Sequence, residues 1–263
     1  MASNRLAEAD GPVNVIGAVF PGICLLCRRR SRRDVDLCRE CEAALERNER
    51  ACPVCAEPSP PGSTAGEICG SCIVAPPPWA VTVAPFTYSP PLSRVVEGLK
   101  SGNGLREARI LGGILAPAIQ ARYRRDVLPE ALIAMPLSRR RRRQRGYNQA
   151  ELLAAVICRE VDRPVLKGRL VRTRHAPPQR TLPRSARLRN VRGAFDVRRR
   201  LRERVCARTV EDMPKRVALV DDVTTTGATV RAASEILRSA GVEEVHVWVA
   251  AKTVTGRDGR HAA

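Results

Sequence analysis

Aromatic side chains are scarce in this 263-residue chain: Phe, Trp and Tyr together make up 3%. Stacking platforms for nucleobases are correspondingly few. Long apolar runs are missing as well. No segment approaches the roughly 20 apolar residues that a membrane span needs. Residues 13–20 are apolar but short, and Glu8 and Asp10 precede them, whereas a secretory signal wants a basic start and a longer apolar stretch. The chain is therefore expected to be cytoplasmic, with no transmembrane segment. Acidic residues are outnumbered, 27 against 46 Lys plus Arg, which leaves a formal net charge of +19. This balance favours polyanionic partners such as nucleic acid or diphosphates. A plain compositional bias toward Arg is the competing explanation, but it does not account for the clustering of the charge. Hydrophobic residues reach 44%, enough for one good-sized α/β domain and a smaller module.

Eight of the ten cysteines form four Cys-x-x-Cys pairs: Cys24/Cys27, Cys38/Cys41, Cys52/Cys55 and Cys69/Cys72. Each pair presents two thiolates to one tetrahedral ion, and two pairs complete a four-cysteine zinc site. Disulfide or redox use is the alternative, disfavoured in a reducing cytoplasm. The simplest pairing is sequential, with Cys24, Cys27, Cys38 and Cys41 in one site and Cys52, Cys55, Cys69 and Cys72 in the other. An interleaved pairing is also compatible with the spacing. No His or carboxylate stands at ligand spacing, so the two zinc ions are expected to be structural. A module this small needs metal to fold. Arg28, Arg29, Arg30, Arg32 and Arg33 form a basic run between the pairs, read either as a solvated loop offsetting thiolate charge or as a nucleic-acid contact. Cys158 and Cys206 lie outside the cluster and read as buried or incidental thiols.

The stretch Val217-Ala218-Leu219-Val220-Asp221-Asp222-Val223-Thr224-Thr225-Thr226-Gly227-Ala228-Thr229 carries the most specific chemistry. Its apolar run suits a strand buried on both sides of a parallel sheet. Val230, Ala233 and Leu237 then share one face of a following helix. The loop between lies at the carboxyl end of the strand, where open α/β sheets bind ligands. Unpaired N–H groups at the helix start and the hydroxyls of Thr224, Thr225, Thr226 and Thr229 suit a phosphate, and Gly227 can take φ > 0 or let backbone approach closely. Asp221 and Asp222 would repel that anion unless the ligand brings hydroxyls or a divalent cation. A sugar phosphate with vicinal hydroxyls meets this condition.

A second anion-binding element follows Leu132-Ile133-Ala134-Met135-Pro136, which reads as a central strand. Arg139 to Arg143, Gln144 and Arg145 form a basic loop ahead of Gly146, Tyr147, Asn148 and Gln149. Asn148 is a plausible N-cap with Glu151 three residues on, in the manner of a capping box. Guanidinium groups beside a helix start bind anions in two ways.

The strand–Asp-Asp–Thr-Thr-Gly-x-Thr stretch resembles the phosphoribosyl-diphosphate (PRPP) signature of type I phosphoribosyltransferases. Arg-Arg-Gln-Arg-Gly-Tyr-Asn-Gln resembles an element of the ComF family, which joins a phosphoribosyltransferase fold to an N-terminal double zinc ribbon and is linked to DNA uptake in natural competence. The resemblance runs through nearly the whole chain in family order. It implies an α/β, type I phosphoribosyltransferase fold, a parallel sheet flanked by helices, behind a small cysteine-rich zinc module. It implies that Asp221 and Asp222 bind ribose hydroxyls and that Thr224, Thr225, Thr226, Gly227, Ala228 and Thr229 cradle the 5′-phosphate, with Mg²⁺ accompanying PRPP. It makes Leu137, Ser138 and Arg139 diphosphate contacts and places Arg142, Arg145 and Asn148 near the mouth. Single-stranded DNA and the competence helicase and translocation machinery are the implied partners. The alternative is a working phosphoribosyltransferase of the nucleotide-salvage class acting on an unknown acceptor, although no residue is an obvious general base.

The expected order is a leader over 1–22, the zinc module over 23–75, a stiff linker at Pro76-Pro77-Pro78, the phosphoribosyltransferase-like domain over 76–251 and a flexible tail over 252–263. Residues 81–88 read as an edge strand because of Pro85. Leu92, Val95, Val96 and Leu99 fall at helical spacing, and a helix is expected over 107–123. Residues 174–195 are basic and Pro-interrupted and read as a loop or lid, corresponding in the family to a mobile loop with Gln179, Leu182, Arg187, Asn190 and Phe195. His175 there reads as solvent-exposed, and His246 on the last strand as structural.

Overall fold

The computed structural model describes residues 22–60, 62–64, 66–124, 126–173, 194–198, 203–205, 208–210 and 213–254. Expectations for the leader, for His175 and most of the 174–195 segment, for Cys206 and for the end of the tail lie outside the described residues. The chain divides into two compact units, Met1–Ala44 and Leu45–Ala263.

The first unit is built on its cysteines. Cys24 and Cys38 are buried, and Leu37 is the one other buried apolar side chain among its described residues. A short helix α1, Arg39–Ala43, starts at Cys38. Arg33 pairs with Glu42, while Arg28, Arg29, Arg30 and Arg32 are exposed.

In the second unit a helix α2, Gly70–Val74, follows Cys69. The sheet comprises β1, Val81–Val83, β2, Phe86–Thr87, β3, Ala131–Ala134, β8, Arg216–Thr224 and β9, Glu244–Lys252. All pairings are parallel, in the order β1-β9-β8-β3, with β2 also on β9. Pro85, which has no N–H to donate, separates β1 from β2 at this edge, as the sequence predicts. The stretch predicted as a central strand, β3, instead ends the hydrogen-bonded path. A single parallel bridge, Leu132 to Val165, covers its outer side. An apolar run reports burial on both faces but not position within a sheet.

The helices are α3, Leu92–Leu99, α4, Leu105–Arg122, α5, Arg139–Arg145, α6, Gln149–Val161, and α7, Ala228–Ser239. Leu92, Val95, Val96 and Leu99 are all buried, as their spacing predicts. Alternation along the strands sends Ile133, Leu219 and Val247 into one core layer with Val230, Ala233 and Leu237 of α7. Helices α4 and α6 pack together and against the sheet. A Cβ on Gly112 would come within 2.5 Å of Val156, so glycine sets how closely those two helices approach. Tyr123 of the α4 C-cap hydrogen-bonds His246 Nδ1 at 2.6 Å, which confirms the structural reading of His246. Two hairpins complete the unit: β4, Leu170–Arg172, with β5, Phe195–Val197, and β6, Glu203–Val205, with β7, Arg208–Val210.

The proline triplet does not separate this unit from the second cysteine cluster. Asn48 Nδ2 donates to the Ala56 and Ala84 carbonyls at 2.9 and 3.2 Å. Trp79 Nε1 donates to the Val54 carbonyl at 2.7 Å. These buried polar groups need partners, and the second knuckle and the segment around β1 supply them to each other.

Candidate functional site

The two cysteine clusters follow the sequential pairing. Cys24, Cys27, Cys38 and Cys41 bring their sulfur atoms within 4.8 Å of one another, as do Cys52, Cys55, Cys69 and Cys72. Sulfur contacts of 3.7 Å (Cys27 to Cys38) and 3.6 Å (Cys55 to Cys69) match the edge of a tetrahedron with Zn–S bonds of about 2.3 Å, whereas a disulfide needs about 2.05 Å. Both donor sets fit structural zinc. Two N–H groups also point at sulfur, Cys41 at Cys38 (3.5 Å) and Cys69 at Cys52 (3.3 Å). Burial raises the Cys24 and Cys52 thiols, but backbone N–H donors outweigh it and bring them down to about 6 and about 7. The knuckles repeat one geometry. Arg28 and Ala56, each just after its knuckle, take φ of 64° and 58° and donate back to the Cys24 and Cys52 carbonyls.

The second site is a cleft of about 370 Å³ at the carboxyl end of β8. Asp221, Asp222, Val223 and Thr229 form one wall. Facing groups come from Lys100, Arg141, Arg145 and Arg172, with Leu137 and Gln149 between. Asp222 is buried, and its Oδ2 lies 2.6 Å from Lys100 Nζ. Burial alone would raise the Asp222 carboxyl, but Lys100 overcomes it and the pKa falls below the ordinary value. Asp221 goes the other way: burial, then the adjacent Asp222 charge, raise it well above the ordinary value. Two neighbouring carboxylates with opposite shifts are typical of functional clefts.

The loop takes the predicted form. Gly227 has φ 73° and caps α7, and a Cβ there would come within 3.2 Å of Trp79. Ala228 opens the helix. Thr225 and Thr226 are exposed, while Thr224 is buried and its carbonyl accepts from Thr253 N at 3.0 Å. Lys252 Nζ donates to the Thr225 carbonyl at 2.8 Å and pairs with Glu57 at 2.7 Å.

The basic stretch is a helix rather than a loop. Arg is a good helix former, Ser138 caps α5 by accepting from Arg141 N at 3.3 Å, and Gly146 closes it at φ 79°. This geometry sorts the residues proposed from sequence. Leu137 and Arg145 line the cleft; Arg139 is exposed outside it, and Arg142 lies 3.4 Å from Glu151. Glu151 thus pairs with an arginine instead of closing a capping box. Asn148 is buried. It caps α6 through Ala150 N at 3.1 Å, and its Nδ2 donates to the Met135 carbonyl at 3.1 Å, so it shapes the mouth without facing it.

The Arg-Gly-Tyr-Asn-Gln element is thereby explained residue by residue. Arg145 donates to Gln149 Oε1 at 3.0 Å. Tyr147 Oη sits 2.8 and 3.0 Å from the Leu99 and Ser101 carbonyls, pinning the turn that aims Lys100 at Asp222. Replacing Tyr147 by Phe is expected to lower stability by about 1 kcal/mol, measured by denaturant unfolding, and to raise the Asp222 pKa toward its ordinary value, measured by carboxyl NMR titration.

Three cleft residues escape sequence reading. Lys100 is a lone cation and Arg172 one of several neighbouring arginines, both far from either motif, and Arg141 is one arginine in a run. Arg172 stacks over Phe195 at 5.4 Å, and burial, then Arg141, lower its pKa.

Taken together, these features define a zinc-ribbon protein with a parallel α/β domain that carries an acidic pair and a glycine-capped threonine loop. Comparison with known proteins narrows the class. A double zinc ribbon domain model matches residues 15–73. Competence protein F of Haemophilus influenzae is 38% identical over 183 residues, covering 68% of this chain and 76% of that protein. DNA utilization protein YhgH of Escherichia coli K12 is 32% identical over 237 residues, covering 89% and 98%. The chain belongs to this ComF family. Among solved structures, a hypoxanthine phosphoribosyltransferase from Staphylococcus aureus aligns at 11% identity over 59% of this chain and 67% of its own, with a TM-score of 0.33. UMP synthase of Leishmania donovani aligns at 21% over 62% and 24%, with a TM-score of 0.30. Likeness at these scores carries no weight for the site. No helix among the described residues is long and apolar enough to cross a membrane.

Proposed function

We propose that the protein serves DNA uptake and binds PRPP, or a related ribose phosphate, in the β8 cleft and single-stranded DNA along α5. The observation that carries the ligand reading is the arrangement of the cleft. An acidic pair at a strand end stands beside a glycine-capped loop, with Lys100, Arg141, Arg145 and Arg172 opposite. Ribose hydroxyls would donate to the carboxylates, the loop N–H groups and threonine hydroxyls would take the 5′-phosphate, and the guanidinium groups would take the diphosphate. Oxygen donors of this kind also suit Mg²⁺, which keeps several waters and bridges to substrate phosphates.

The DNA reading rests on α5. Six of its seven residues are arginine, none is buried, and Arg139 to Arg143 are exposed. Like charges at helical spacing repel, so a polyanion relieves a strain intrinsic to the free protein. The names of the relatives, competence protein F and DNA utilization protein YhgH, support a role in DNA uptake, with the competence helicase and translocation machinery as its setting in the cytoplasm. Replacing Arg139, Arg140, Arg142 and Arg143 by Gln is expected to weaken single-strand affinity at low salt. It should also reduce the slope of log K against log salt by about 0.7 for each phosphate that is no longer neutralised. An unchanged slope in fluorescence anisotropy would remove α5 from the DNA surface.

The same cleft supports phosphoribosyl transfer as a second reading, because Lys100, Arg141, Arg145 and Arg172 opposite the acidic pair would stabilise a departing diphosphate. Release of diphosphate from PRPP on addition of an acceptor base tests this reading.

A further inference from the structure

We propose that the second zinc ribbon holds the phosphate loop in its binding geometry through Lys252, a positioning residue, so that metal at Cys52, Cys55, Cys69 and Cys72 and ligand at 224–229 are thermodynamically linked. Two connections run from this knuckle to the loop. In the first, the Cys52 N–H donates to the Glu57 carbonyl at 2.9 Å, which fixes Glu57 against the metal site. The Glu57 carboxylate meets Lys252 Nζ at 2.7 Å, and that ammonium donates to the Thr225 carbonyl at 2.8 Å. The ammonium also donates to the Thr253 carbonyl at 2.9 Å. Lys252 is only 4% exposed, so its charge depends on these partners, and Glu57 is the one that carries a countercharge. In the second, Val54, inside the knuckle, accepts from Trp79 Nε1 at 2.7 Å and from Thr82 Oγ1 at 2.6 Å. The Trp79 ring then lies 3.2 Å from where a Cβ on Gly227 would be.

The two knuckles make the role of Glu57 distinctive. Cys24 N donates to the Arg29 carbonyl just as Cys52 N donates to that of Glu57. The matching position thus carries an exposed arginine in the first ribbon and the acid that reaches Lys252 in the second. A purely structural ribbon would not require an acid there. Loss of the metal frees the knuckle, and with it the orientation of Glu57 and the Val54 carbonyl. The Thr225 carbonyl then loses the donor that fixes its peptide plane. By linkage, ligand at the loop strengthens metal retention at the second site by the same factor.

The consequence for ligand binding rests on the phosphate-loop reading; the effect on the loop itself does not. The experiment compares full-length wild type, Glu57→Gln and Lys252→Met, each shown to hold two zinc ions per chain, by amide hydrogen exchange without ligand. Exchange over 224–229 is expected to rise about tenfold in both variants, while α6 exchanges as in wild type. Calorimetry with ribose 5-phosphate should show the same two variants binding more weakly, and Glu57→Asp restoring part of the loss. Wild type that ignores ribose 5-phosphate while both variants loosen 224–229 supports the positioning role of Lys252 and sinks only the ligand reading. Unchanged exchange over 224–229 in both variants overturns the proposal.

Discussion

Stripping zinc with a chelator is expected to abolish amide protection across residues 22–44 while the sheet unit continues to unfold cooperatively. The reason lies in what each cluster packs against. Among the described residues of the first unit, the buried apolar groups are Cys24, Cys38 and Leu37. One leucine cannot offset the conformational entropy of ordering some twenty residues, at about 1–2 kcal/mol each. Zinc binding to a site of four thiolates supplies about 10–16 kcal/mol, so without metal this unit has nothing to hold it. Four thiolates brought together without a cation also repel; burial already raises the Cys41 thiol strongly, and its cysteine neighbours add to that. The second cluster differs because Ala56 belongs to the sheet core and Asn48, Val54 and Glu57 bond to it. It should loosen locally, chiefly around 52–57 and 224–229. Hydrogen exchange before and after chelation, with metal analysis on the same sample, reads both effects. Full protection over 22–44 in metal-free protein would show that the cluster does not depend on metal.

The second large effect is a pair of opposite stability changes with a shared loss of ligand. Asp221→Asn is expected to raise the Tm at pH 8. Its carboxyl has a raised pKa in the folded protein, so it binds its proton more tightly folded than unfolded. That contribution is fully present below the unfolded value of about 3.9 and is lost as pH rises through the folded value. Well above the unfolded value, wild type therefore bears the cost of holding Asp221, half-buried beside Asp222, in either protonation state, which asparagine avoids; the gain should shrink toward pH 4. Asp222→Asn should do the reverse. Its folded pKa is lowered, chiefly because the Lys100 charge overcomes burial, so its stabilisation is present above about 3.9 and lost as pH falls through the folded value. Removing that carboxylate at pH 8 should cost about 1.5–3 kcal/mol, the worth of a charged hydrogen bond. Both substitutions should weaken ribose-phosphate binding about tenfold or more. A residue whose removal stabilises the fold while weakening a ligand is there for the ligand. Thermal unfolding from pH 4 to 8 and calorimetry on the same variants test the pattern. Loss of stability at pH 8 in Asp221→Asn would contradict it.

Much of this could be read from sequence because the signals were local. Cys-x-x-Cys fixes two ligands on one turn, and the repeat of four fixes the count. The run Val217 to Val220, the acidic pair and Gly227 follow one another in a single strand–turn–helix, so pattern and place coincide. Pro85 marked its edge for the same local reason. Features that depend on tertiary contact were not legible. Lys100 reaches Asp222 across the sheet's carboxyl edge, and Arg172 arrives from a hairpin whose partner, Phe195, lies at the far end of the 174–195 segment. No spacing rule links such residues. The helical form of Arg139–Arg145 was available from Ser138 and Gly146, its cap and stop, but the density of charge read as a loop. Three prolines describe local stiffness and say nothing of how Asn48, Val54 and Glu57 bond to the chain beyond them.

The most direct measurement is calorimetric titration of PRPP with Mg²⁺ into zinc-loaded wild-type protein, with Asp221→Asn/Asp222→Asn in parallel. The β8 cleft predicts saturable one-site binding that ribose 5-phosphate competes away and that the double variant loses. Absence of binding to wild type, or equal binding to the double variant, would contradict the cleft as a ribose-phosphate site.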